Sequence, residues 1–164
     1  MNSCIYQSPF GKIFLLEKEG YLVKVSFYQN FFKSDISIEH SEKPETNTLK
    51  KTCNQLENYF SGNLKIFDVP IILKGTTFQC SAWKTLLRIP YGEKISYYKQ
   101  AKSINKPKAV RAIGNANSKN PLPIIIPCHR VIGKNGSLTG YSGGLGWKSY
   151  LIELEQRFKS ARKN

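Results

Sequence analysis

The chain has 164 residues, is 40% hydrophobic and carries a formal net charge of +14, which suits one ordinary domain or two small ones and excludes a disordered segment. No apolar run approaches a membrane span, and the opening MNSCIYQSPF lacks the basic stretch and long apolar core of a secretory signal; an intracellular protein with no membrane partner is expected, cytoplasmic or, in a eukaryote, nuclear. The charge is uneven, with nine Lys/Arg against eight Asp/Glu in residues 1–75 and sixteen against three in residues 76–164, so the second half favours a polyanionic partner over a merely solubilising role.

Residues 4–28 alternate apolar and polar side chains in the runs KIFLLE and YLVKVSFY, broken by SPFG and KEG. The pattern predicts antiparallel strands joined by turns. After the polar stretch SEKPETN, residues Leu49, Cys53, Leu56 and Phe60 recur at helical spacing, and SGN supplies a glycine stop. KIFDVPIIL reads as extended, its proline favouring an edge, and KGTT marks a junction near residue 75 where the charge balance also changes. The expected fold class is α+β, with a small antiparallel sheet plus helix over residues 1–75 and a mainly helical domain over residues 76–164.

In the second half, Thr76 or Thr77 is placed to cap a helix running through FQCSAWKTLLRI and stopping before Pro90 and Gly92. SYYKQAKSI and KPKAVRAIGNANSK read as two short helices separated by a turn at Asn105 and Lys106, with Pro107 in the first turn of the second. The pair has the form of a helix-turn-helix, and Lys106, Lys108, Arg111 and Lys119 make it basic. Such a pair enters a DNA groove in many proteins and is a plain packing unit in others. Trp147, Tyr150, Leu151, Leu154 and Phe158 form an apolar stripe on a last helix.

Cys4, Cys53, Cys80 and Cys128 lie far apart in sequence with no CxxC pair, which signals neither a disulfide framework nor a zinc ribbon and fits a reducing compartment. Three of them have apolar neighbours and read as inert buried thiols. Cys128 differs: in PIIIPCHRVIG it ends an apolar run read as a strand and precedes His129 and Arg130, a setting expected to favour a thiolate. A cysteine protease would need a base on a separate element, and the other histidine, His40, lies in the acidic stretch IEHSE. A metal site would need more soft ligands at close spacing. Direct attack of the sulfur on an electrophilic carbon, with His129 taking the proton and a carboxylate steadying the ring, uses what is present.

IPCHRVIG, preceded by IPYGEKISYYKQAK and RAIGNANSKNPLPI and followed by GYSGG and LIELE, resembles the signature of the O6-alkylguanine-DNA alkyltransferases over roughly residues 76–155. Residues 1–75 match that family in outline only. The resemblance implies a single-turnover DNA repair enzyme that moves an alkyl group from O6 of guanine to Cys128, with His129 as general base and Glu155 orienting it. It implies that the lesion is flipped out of duplex DNA, that Arg111 fills the gap in the base stack, and that Tyr97 assists extrusion. Lys106 and Lys108 are expected at DNA phosphates. Asn120 matches a hinge asparagine linking the recognition helix to the loop of Cys128. Tyr141, Ser142 and Gly143 match the pocket loop, Val131 a residue whose carbonyl reads the guanine amino group, and Lys148 a lysine near the pocket entrance. No cofactor is required; Cys4, His40 and Cys53 do not make the four-ligand zinc set that some members carry, so no metal is expected. The expected partner is double-stranded DNA containing O6-alkylguanine, met by a monomer. A non-catalytic lesion binder and a helix-turn-helix regulator are the rival readings, and Cys128 speaks against the first.

Overall fold

In the computed structural model, which describes residues 1–28 and 43–161, the alternating runs near the start form a three-stranded antiparallel sheet in the order β1-β2-β3, with β1 at Asn2–Ser8, β2 at Gly11–Lys18 and β3 at Tyr21–Phe27. β2 is central, and its residues 13–17 are buried without a break, because side chains on both of its faces are covered. Phe14 and Leu16 pack with Ile5 and Val23 of the neighbouring strands. Helix α1, Asn47–Phe60, lies against the sheet and buries Leu49, Leu56, Tyr59 and Phe60. The Thr46 hydroxyl caps it by accepting from the Leu49 N–H at 3.2 Å, and Gly62, at φ 80°, follows its end. The extended segment beyond runs parallel to β3 at Ile71. There the Leu22 N–H donates to the Pro70 carbonyl at 2.8 Å and the Ile72 N–H to the Leu22 carbonyl at 3.3 Å, so the proline contributes an acceptor and is spared the donor it lacks.

Contacts divide the chain into two compact units, Met1–Leu73 and Lys74–Asn164. The second holds helix α2 at Thr77–Leu86, a short strand β4 at Ile95–Ser96, helix α3 at Tyr97–Ser103, helix α4 at Val110–Ser118, strand β5 at Val131–Ile132 and helix α5 at Leu145–Ser160. Thr76 and Gln79 form a capping box: the Gln79 N–H donates to the Thr76 hydroxyl at 3.2 Å and the Thr76 N–H to the Gln79 side chain at 2.9 Å. Small residues Ala82, Ala101 and Ala116, set about Ile113, let α2, α3 and α4 pack closely. Trp83 of α2 lies in this core with its indole N–H on the Ala116 carbonyl at 2.8 Å. No helix among the described residues is long and apolar enough to cross a membrane.

Four details differ from the sequence expectations. Helix α2 ends at Leu86, and Leu87–Ile89 continue as a tighter turn in which Arg88 and Ile89 bond back to Thr85 and Leu86. Pro107 stands outside α4: Lys106–Ala109 closes a separate turn by an Ala109 N–H to Lys106 carbonyl bond of 2.9 Å, and the helix starts at Val110. The mainly helical half also contains a parallel pair, β4 with β5, too short to show a period in sequence. Finally, the apolar run before Cys128 is no strand. Ile124 takes φ 75°, unusual for a β-branched residue, and the Ile126 N–H returns to the Leu122 carbonyl at 2.8 Å. Pro121, Pro123 and Pro127 deprive this run of the donors a ladder would need.

Replacing Thr76 by Ala removes the hydroxyl half of the capping box on an exposed turn, where nothing else compensates. A loss of about 1 kcal/mol is expected from chemical denaturation, with Thr76→Ser close to the parent.

Candidate active site around Cys128

Cys128 to Arg130 form a single 3-10 turn entered from Pro127 and left into β5, and all three side chains are buried. Consecutive residues of so tight a turn point in different directions, and each finds a different partner. The Cys128 sulfur, 5% exposed, accepts from the Asn120 amide Nδ2 at 3.1 Å. That same amide nitrogen donates to the Ile126 carbonyl at 2.8 Å, while the Asn120 oxygen accepts from the Leu122 N–H at 3.0 Å. One side chain thus replaces the missing strand ladder and fixes the loop that carries the sulfur.

His129 is fully buried and its Nε2 lies 2.8 Å from Glu155 Oε1. Glu155 comes from α5 and is the meeting point of the site. Besides His129 it accepts from Arg130 Nε at 3.0 Å, from Arg130 Nη2 at 2.9 Å and from the backbone N–H of Gly92 at 2.8 Å. Gly92 has φ 74°, and a Cβ there would fall 2.7 Å from Lys159, so the close approach of this N–H depends on glycine. Arg130 is completed by the Ile89 carbonyl at 2.7 Å and by the Tyr91 ring, 5.7 Å from the guanidinium.

These partners decide protonation. Burial alone would raise the Glu155 carboxyl, but the adjoining His129 ring and the Arg130 guanidinium outweigh it and hold the group well below the ordinary carboxylate range. Burial lowers the basicity of His129 against the pull of Glu155, so the ring is neutral. With an ionised carboxylate on Nε2, that nitrogen carries the proton and Nδ1 is left as the acceptor. Nδ1 is buried and has no hydrogen-bond partner among the described residues.

The expectation of a thiolate favoured by Arg130 is corrected. Burial pushes the Cys128 thiol up to about 11, despite the opposing Asn120 N–H and Lys148 charge. Arg130 spends its N–H groups on Glu155 and Ile89 and does not act on the sulfur. Lys148 is likewise more deeply placed than expected. It is 1% exposed, and its ammonium donates to the Thr139 carbonyl at 2.9 Å and the Tyr97 hydroxyl at 3.3 Å. The Tyr97 hydroxyl also donates to the Thr139 carbonyl, at 3.1 Å, so Tyr97, Lys148 and Thr139 join α3, α5 and the loop before α5.

Val131 is buried on β5, and the hydroxyl oxygens of Tyr141 and Ser142 are buried in the loop that also holds the half-buried Gly143. Burial raises the Tyr141 hydroxyl well above its ordinary value, with the Cys128 and Glu155 charges adding to the effect. Arg111 and Lys108 are exposed, on α4 and in the turn before it, and Lys106 lies over the Phe78 ring at 5.4 Å. The structure thus gathers Cys128 with Asn120 and His129 with Glu155 about one 3-10 turn and leaves Lys106, Lys108 and Arg111 on the surface. Arg130 and Gly92 were not assigned to the site from sequence; a buried arginine beside a buried carboxylate is invisible until the turn is folded. In the first unit Cys4 and Cys53, separated in sequence, bring their sulfurs to 3.9 Å. His40 lies outside the described residues, and no group of three or more potential metal ligands occurs among those described.

The family model described as 6-O-methylguanine DNA methyltransferase, DNA binding domain, matches residues 77–157, and its ribonuclease-like domain matches residues 3–73. A methylated-DNA–protein-cysteine methyltransferase of Methanosarcina acetivorans is 46% identical over 94% of this chain and 98% of its own. The chain belongs to the 6-O-methylguanine DNA methyltransferase family. A constitutive enzyme of the same name from Bacillus subtilis is 41% identical over 92% of both chains. The structure of this family member is also similar to a crystal structure of Mycobacterium tuberculosis OGT in complex with DNA, with a TM-score of 0.85 and 40% identity over 96% of this chain and 94% of that one. Every site residue named from the sequence falls within the segment matched by the DNA-binding model.

Glu155→Gln is expected to cost about 3–5 kcal/mol in denaturant unfolding, because it leaves Arg130 buried without its counter-charge. The sign of the pH dependence follows from the lowered native value of Glu155. Its contribution is complete above the ordinary carboxylate range and is lost as pH falls through that range toward the native value. Cys128, raised from 9.0 to about 11, contributes fully below 9 and loses its contribution as pH rises through 11. Stability measured against pH in the parent, Glu155→Gln and Cys128→Ala should show each limb weakened in its own variant.

Proposed function

We propose that this protein repairs DNA by transferring the alkyl group of O6-alkylguanine in double-stranded DNA irreversibly to Cys128, one turnover per molecule. The observation that carries the reading is the buried Cys128 sulfur next in sequence to a neutral His129 whose Nε2 is engaged by Glu155 and whose Nδ1 has no partner among the described residues. The sequence motif and the named relatives support the same reaction.

A thiol raised to about 11 is protonated at neutral pH, so attack requires removal of its proton in the reaction itself. His129 Nδ1 receives that proton, directly or through a water, while Glu155 stabilises the imidazolium that forms. The sulfur lone pair then makes a bond to the alkyl carbon as the carbon–O6 bond breaks, and the departing guanine takes a proton. Cysteine thiol plus O6-alkylguanine gives a thioether plus guanine, with no resident metal or cofactor in the balance. Ser142 is assigned as the donor to O6, where negative charge develops. Tyr141, Val131 and Gly143 line the base, Val131 through its carbonyl, and Asn120 holds the sulfur in place. Lys148 acts by fixing Tyr97.

The target base must leave the duplex to reach a sulfur that is 5% exposed. The α3–turn–α4 unit acts as a helix-turn-helix with α4 facing DNA, Arg111 entering the vacated stack, Tyr97 guiding the base, and Lys106 and Lys108 meeting phosphates. The first unit, near residues 1–75, is a separate domain that carries none of these groups. The protein works as a monomer inside the cell, in the cytoplasm or with nuclear DNA.

Incubated with duplex containing O6-methylguanine, the intact protein should gain one methyl group in place of one proton by mass spectrometry. Cys128→Ala should bind the same duplex and gain nothing. A parent protein with a reduced thiol that stays at its original mass refutes the reading. Arg111→Ala should slow reaction with duplex by about tenfold or more while leaving reaction with free O6-benzylguanine near the parent rate, because only the duplex requires extrusion.

A further inference from the structure

Two amides sit inside the apolar core shared by α2, α3 and α4: Gln100, 0% exposed, and Asn117, 7% exposed. They exchange hydrogen bonds, Gln100 Nε2 to Asn117 Oδ1 at 3.1 Å and Asn117 Nδ2 to Gln100 Oε1 at 2.8 Å. Gln100 Nε2 also reaches the Ala82 carbonyl at 3.2 Å and the Thr85 hydroxyl at 3.3 Å on α2. The core around them has Ala82, Ala101 and Ala116 about Ile113, with Phe78, Tyr97 and Ile104 packed against it. The alanines permit close approach of the helices, but apolar contacts are non-directional and fix register less strictly than hydrogen bonds do. A reciprocal pair of amides is directional, and any slip leaves buried donors and acceptors unsatisfied. One buried polar pair can therefore set a register that an apolar interface leaves loose.

The pair is also linked to the sulfur. The Asn117 carbonyl accepts from the Asn120 N–H at 3.1 Å, and the Asn120 side chain donates to Cys128 at 3.1 Å. Asn117 thus joins α4, the helix of Arg111, to α3 through its side chain and to Asn120, which holds the loop of the nucleophile, through its backbone carbonyl.

We propose that Gln100 and Asn117 are positioning residues that set the pose of α4 relative to the Cys128 pocket, and so couple DNA engagement to alkyl transfer. The inference rests on the reading of the protein as a DNA alkyltransferase. It assigns no chemistry to either amide; each acts by holding the surface that meets the duplex in line with the sulfur beneath it.

The test is the ratio of two second-order rates, for duplex O6-methylguanine and for free O6-benzylguanine, in Gln100→Leu/Asn117→Leu. Replacing both amides removes the reciprocal pair together, and the Thr85 hydroxyl keeps its 2.7 Å bond to the Ala82 carbonyl, so folding should survive. The expected result is a ratio reduced by about tenfold or more, through the duplex rate, with the free-base rate within about twofold of the parent. Exchanging the residues, Gln100→Asn with Asn117→Gln, keeps one amide on each helix and should restore most of the ratio. Gln100→Met, which keeps length and deletes only the amide, stands in if the leucine pair does not fold. A ratio equal to the parent's in the folded variant, or an equal fall in both rates, overturns the inference. A parent protein inert toward both substrates overturns the alkyltransferase reading instead, so the two failures are told apart.

Discussion

The second unit is organised around one buried carboxylate. Glu155 accepts from a histidine, from an arginine that grips it through two nitrogens, and from the backbone of Gly92. The donors come from two stretches of chain, the 3-10 turn that carries His129 and Arg130 and the turn at Gly92, and burying the carboxylate without them would carry a large desolvation penalty. The cluster therefore behaves as a structural lock between α5, the 3-10 turn of Cys128 and the turn at Gly92. It also has a chemical output. By holding the carboxylate ionised it fixes which nitrogen of His129 carries the proton, and so turns the other toward proton abstraction. Arg130 has its place in this division of labour: it neutralises Glu155, leaving His129 uncharged and free to act as a base.

A sulfur kept protonated by burial is a sensible arrangement for a group that can react only once. A stable exposed thiolate would be consumed by oxidants and adventitious electrophiles before it met a lesion. A thiol raised to about 11 resists this, and its activation is deferred until a base occupies the pocket and a proton can pass to His129. Asn120 has a part in both states. Its N–H can stabilise the developing thiolate, and its hold on Leu122 and Ile126 keeps an irregular loop, including Ile124 at φ 75°, from relaxing into a strand.

Elements with a strong local period were legible in the sequence. The three strands follow alternation at period two, α1 follows Leu49, Cys53, Leu56 and Phe60, and α2 begins at the Thr76 cap. Cys128 and His129 stood out as a motif, whereas Glu155 was singled out only through the family resemblance; the structure sets Glu155 against His129. The direction of Arg130 was not, because neighbours in a 3-10 turn diverge and adjacency in sequence says little about which group a guanidinium will reach. The apolar run before Cys128 looked like a strand because its composition is that of one; three prolines and the Asn120 amide, acting across residues, overrule composition. Lys148 was expected near a pocket entrance, and its depth was not legible. Its burial depends on the Thr139 carbonyl and the Tyr97 hydroxyl meeting it from separate elements.

The same physical theme runs through α2, α3 and α4. Helix α4 exposes Arg111 and Ala112 and half-buries Gly114, where a Cβ would make ordinary contact with Tyr97 at 3.9 Å, while Ala116 is buried against α2 and α3. Alanine at a helix contact allows close approach but gives no directional hold on the helix. Directional polar contacts supply that hold. Trp83 on the Ala116 carbonyl and the amides of Gln100 and Asn117 fix the buried side of α4, leaving Arg111 on its exposed side.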